Sequence, residues 1–63
     1  MSIVELAEYE DEDGDYIAVW MDSEDNTIVV QYNFINLTLA PENFKGLVDA
    51  LDVAADNLEE QLN

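Results

Sequence analysis

PENFKGLVDALDVAADNLEEQL, residues 41–62, is the stretch whose reading decides the fold. At roughly 100° per residue, Phe44, Leu47, Val48, Leu51, Ala54, Ala55, Leu58 and Leu62 fall into one stripe, the signature of an amphipathic helix. Pro41 suits the first helical position, where its missing N–H sacrifices no bond. Glu42 complements the positive end of the dipole, while Ala40 is a poor N-cap. No other segment carries a long helical period. A helix with one apolar stripe must lay it on something, and the chain upstream offers only strands.

Immediately upstream, TIVVQYNFINLTL at residues 27–39 is β-forming throughout. Its alternation changes phase: Ile28, Val30, Tyr32 and Phe34 sit on even positions, and Ile35, Leu37 and Leu39 on odd ones. A period of two cannot switch parity without an extra residue, so a turn or a bulge is expected within residues 33–36. A turn gives four strands, a bulge three, and the reading leans to four. Further upstream, DYIAVWMD at residues 15–22 is a strand with Tyr16, Ala18 and Trp20 on one face and Ile17, Val19 and Met21 on the other. Residues 23–26 form the turn that follows it, built from residues that favour turns. Residues 2–9 form an edge strand with faces Val4/Leu6 and Ile3/Ala7/Tyr9, its Glu5 and Glu8 discouraging unwanted pairing. The expected fold is a single α+β domain: an antiparallel three- or four-stranded meander (strands near 2–9, 15–22, 27–33 and 35–39) with one C-terminal amphipathic helix, residues 41–62, packed on one face.

Composition excludes much chemistry. The 63 residues contain no Cys and no His, which removes disulfides, thiolate metal sites, the commonest metal ligand and the commonest general base. Ser2 and Ser23 have no base in sequence context, and there is no Gly-rich phosphate loop. An enzyme, and any cofactor, are not expected. The acidic run EDEDGD at residues 10–15 contains the hairpin dipeptide Asp13-Gly14. As a calcium loop aligned on Gly14, it would need ligands at Tyr9, Asp11, Asp13 and Trp20; two of these cannot ligate, so no metal site is expected. Asn36-Leu37-Thr38 fits the glycosylation pattern, but MSIVELAEYE at residues 1–10 has neither a basic n-region nor an apolar core. No stretch reaches the roughly 20 apolar residues that span a bilayer. The expectation is a cytoplasmic protein without membrane contact.

Charge is the anomaly. Sixteen acids face a single base, Lys45, giving a formal net charge of -15 on a chain that is 49% hydrophobic. Nucleic-acid affinity comes largely from cations that release condensed counterions, so direct nucleic-acid binding is excluded. On the helix, Asp49, Asp52, Asp56, Glu59 and Glu60 gather on one side away from the stripe, at intervals of roughly 4.5–6 Å along the axis from Asp49 to Glu59, with Glu60 adjacent to Glu59. That resembles the spacing of phosphates within what flexible side chains absorb. Asp56, Glu59 and Glu60 also sit where the dipole disfavours anions, and Lys45 precedes Asp49 in the weaker order for an ion pair. A helix written for its own stability would differ.

Two classes of function follow. One is a non-enzymatic module whose acids bind a basic protein and mimic nucleic acid as an inhibitor, with Trp20 and Tyr16 as an apolar anchor or dimer contact. The other is a small dimeric structural or assembly domain of a salt-adapted organism, whose acidity serves hydration. A third, metal-buffering role rests on acidity alone. One helix covers one sheet face, so Tyr16 and Trp20 or the opposite set is left open, which points to an interface and is compatible with a homodimer.

Overall fold

A computed structural model describes residues 2–62. Four strands precede one helix: β1 (Ile3–Glu10), β2 (Tyr16–Asp22), β3 (Thr27–Tyr32), β4 (Ile35–Leu39) and α1 (Pro41–Leu62). The strands form one antiparallel sheet in the order β1-β2-β3-β4, and α1 contacts β3. The α+β meander with a C-terminal helix is the architecture expected from sequence, with four strands.

The phase change between β3 and β4 is a two-residue turn. Tyr32 pairs with Ile35, leaving Asn33 and Phe34 as the loop. Asn33 adopts φ 53°, a conformation Asn tolerates better than other side-chain-bearing residues. It also closes the end of β2. The Tyr16 N–H donates to Asn33 Oδ1 at 2.8 Å, and the Asn33 N–H donates to the Tyr16 carbonyl at 2.8 Å. Asn33 Nδ2 donates to Asp15 Oδ1 at 3.0 Å, and Gln31 Nε2 to the Asn33 carbonyl at 2.9 Å.

The other turns use their acids as structural acceptors. Asp11 Oδ1 accepts from the N–H groups of Asp13 (2.9 Å) and Asp15 (3.0 Å), and Gly14, at φ 87°, donates its N–H to the Asp11 carbonyl at 3.1 Å. This is a turn followed by a left-handed Gly, a common hairpin closure. In the β2–β3 turn Asp22 Oδ1 accepts from the Glu24 N–H at 3.0 Å, and Asn26 takes φ 56°.

In β1 the structure corrects the expected faces. The register shifts between Glu5 and Ala7, so Leu6 lies in a bulge. Before it, Glu5 opposes Trp20; after it, Glu8 opposes Ala18 and Glu10 opposes Tyr16. Directly opposed residues share a face, so the bulge puts Glu5, Glu8 and Glu10 together on one side and Val4, Ala7 and Tyr9 on the other. The second face is continued by Ile17, Val19 and Met21 of β2. On β3 and β4 it carries Ile28, Val30 and Tyr32, then Ile35, Leu37 and Leu39. It contains no charged residue.

The sheet and helix meet over a short distance. The Phe44 N–H donates to the Ala40 carbonyl at 2.9 Å, opening the helix beside Leu39, which pairs with Ile28. Phe44 and Leu47 are half-buried, and Ile28 is fully buried. From Val48 onward every described helix residue is exposed, Leu51 at 59% and Leu58 at 58%. The stripe covers the sheet through its first two turns, and the rest extends past it, giving a molecule of 46 × 27 × 16 Å.

Candidate interaction site

Two surfaces carry the sequence-predicted residues. The first lies on the acidic face of β1 and β2. Tyr16 and Trp20 each stand two residues from Ala18, which is buried between these larger neighbours. The bulge brings Glu5 and Glu8 beside them. The result is an open depression of about 180 Å³ lined by Ile3, Glu5, Glu8, Tyr16, Ala18 and Trp20, together with Val19. Its walls are aromatic and its rim anionic.

Burial raises the Tyr16 phenol pKa above its ordinary value of 10.0; the charge of Glu8 and then that of Glu5 push it the same way, the phenol hydrogen-bonds to the Glu8 carboxylate, and Glu10 adds to the repulsion. A cationic side chain entering here would meet carboxylates and the faces of Tyr16 and Trp20, the two groups that attract ammonium and guanidinium ions. The depression is too small for a drug-sized ligand.

The second surface is the helix flank. Asp49, Asp52, Asp56, Glu59 and Glu60 are all exposed. At roughly 100° per residue they occupy an arc of about 100°, and Lys45 and Glu42 fall in the same arc. The remaining arc of the helix, apolar stripe included, has no charge. None of the five carboxylates takes part in a side-chain hydrogen bond among the described residues, in contrast to Asp11, Asp15 and Asp22 of the turns. All five lie on the part of α1 that projects past the sheet.

The two surfaces are not one site: the depression contains no residue of α1. Glu5 and Glu8 were missed by sequence reasoning. Alternation alone gives no reason to group them; the bulge at Leu6, set by pairing with β2, sorts every acid of β1 onto one face. Among the described residues no group of three carboxylates converges as a metal site, and no helix is long and apolar enough to cross a membrane. Comparison with known protein families, curated proteins and solved structures finds no match to this chain.

Proposed function

We propose that this chain is a non-enzymatic, intracellular interaction module that binds a basic protein. Its acidic flank occupies a groove that otherwise holds nucleic acid, and so inhibits the partner. One observation carries the reading: Asp49, Asp52, Asp56, Glu59 and Glu60 form a continuous exposed row that makes no side-chain hydrogen bond or ion pair among the described residues and opposes the helix dipole at its C-terminal end. Trp20 and Tyr16, with Glu5 and Glu8, offer a second contact for one Lys or Arg side chain. A second copy of the chain belongs to the same reading as a further partner.

The test is reversal of Asp52, Asp56 and Glu59 to Lys, with binding followed against the basic protein captured from host lysate at varied salt. Binding is expected to fall by at least about tenfold, and the wild-type interaction to weaken as salt rises. The same substitutions place cations near the C-terminal end of α1 and should raise helix stability by roughly 0.3–1 kcal/mol each for those in the last turns. Unchanged binding by a variant that folds as well or better would sink the reading.

The acids also spread over turns and sheet face, which favours a second reading, a structural domain adapted to high salt. Circular dichroism separates the two. A mimic is folded in dilute buffer, whereas a salt-adapted domain gains its structure only in molar KCl.

A further inference from the structure

The chain exposes more surface than a compact monomer of its mass, and much of what it exposes is apolar. A folded monomer of 7.1 kDa should expose roughly 4,100 Å². This chain exposes 5055 Å². The surplus of about 1,000 Å² is close to the roughly 800 Å² that each partner contributes to a standard stable interface. The Cα radius of gyration, 13.5 Å, likewise exceeds the about 11 Å of a compact chain of this length. Most of the exposed large apolar side chains lie on two features: the uncharged sheet face, with Tyr9 60%, Ile35 63% and Leu37 46% exposed, and the projecting stripe of Leu51, Leu58 and Leu62.

From these areas we infer that the chain forms a two-fold dimer in which the projecting part of each α1 lies across the uncharged sheet face of the other copy. This deepens the homodimer part of the proposed function and does not depend on the basic partner. Residues 48–62 measure roughly 22 Å along the helix axis, enough to cross a four-stranded sheet with strands about 4.8 Å apart. A helical segment this short is marginal when unpacked, and here it carries like charges along one flank. A reciprocal contact of this kind is isologous, with residue i on one copy meeting residue j on the other and the reverse. It covers both exposed features at once. Sheet-on-sheet pairing leaves the helices projecting, and helix-on-helix pairing leaves the sheets open.

The contact surfaces bear no charge, so the only electrostatic penalty is long-range repulsion between two chains of net charge -15. Salt screens that repulsion. Dimerisation is therefore strengthened by salt, whereas binding of a basic partner is weakened by it. The acidic flank of each helix, and the Trp20 depression, remain open.

The experiment has two stages on the full chain. Sedimentation equilibrium from about 0.1 M to about 1 M KCl should show a two-chain mass, with a dissociation constant that falls at least about tenfold as salt rises. A single-chain mass at every salt and protein concentration overturns the dimer; it leaves the basic-partner reading standing, which the Lys reversals test separately. The chain has no Cys, so single-Cys variants then report the geometry. Leu58→Cys is mixed with Val19→Cys, Val30→Cys or Leu37→Cys under oxidation, each variant first confirmed as folded and dimeric. Mixed helix–sheet disulfides are expected. Predominant Leu58→Cys self-pairing, predominant sheet-to-sheet pairing, or no helix–sheet disulfide at any of the three positions overturns the reciprocal arrangement.

Discussion

The first two turns of α1 and the roughly four turns that follow carry one uninterrupted apolar stripe, yet they have different surroundings. Phe44 and Leu47 are half-buried at the sheet, while Leu51 and Leu58 are 59% and 58% exposed. The pattern of residues does not distinguish the two halves. What distinguishes them is where the sheet ends. Amphipathicity specifies that a helix needs an apolar neighbour, not that its own chain supplies it. The acids make a second contrast along the same chain. Asp11 and Asp22 are acceptors for turn N–H groups, and Asp15 accepts from Asn33. Among the described residues the helix acids make no such bond, so only the first group is explained by folding.

The largest test of the helix comparison is a pair of truncations. Phe44→Ala should cost about 2 kcal/mol in denaturant unfolding at any protein concentration, since it empties a half-buried position. Leu58→Ala should cost less than about 0.5 kcal/mol in dilute protein and approach about 2 kcal/mol where dimers form. Equal, concentration-independent costs would erase the distinction between the halves. Next in size is the sheet's own anchor. Asn33→Ala loses a side-chain acceptor, a side-chain donor and tolerance of φ 53°, and should lower stability by roughly 2 kcal/mol. Asn33→Gly restores only the backbone freedom, so chemical denaturation of both variants divides conformation from hydrogen bonding.

A smaller effect, of opposite sign, is expected at Gly46. A Cβ there would meet nothing within 4 Å. Gly46→Ala should therefore stabilise α1 by about 0.5–1 kcal/mol, read as a rise in melting temperature. A loss instead would place a neighbouring chain against that flank. The smallest test concerns the acidic sheet face. Tyr16 has its folded pKa raised above the unfolded value, so the folded state holds the phenolic proton more tightly. Its contribution is complete below the ordinary phenol value and is lost as pH rises from there through the folded pKa. Ultraviolet titration should show a phenol component above the ordinary range that Tyr16→Phe removes. Glu8→Gln should move that component downward.

Much of the fold is legible in the sequence because its signals are local. Pro41 and the stripe mark the helix, Asp13-Gly14 marks a hairpin, and the parity change after Phe34 demands an interruption. The type of that interruption was not legible, since Asn33 acts through partners 17 and 18 residues away in sequence. The depression beside Trp20 was half legible. Tyr16 and Trp20 share a face by alternation alone, but Glu5 and Glu8 join them only through the bulge at Leu6, where pairing with β2 overrides strict alternation.

By itself the sequence determines the elements, their order, the uncharged and charged arcs of α1 and the net charge of -15, because each depends on residues a turn or a strand apart. The tertiary structure alone decides that β1 sorts its acids onto the Trp20 face and that α1 outruns its sheet. Both depend on register and on the relative lengths of packed elements, quantities that appear only when distant segments are laid against one another.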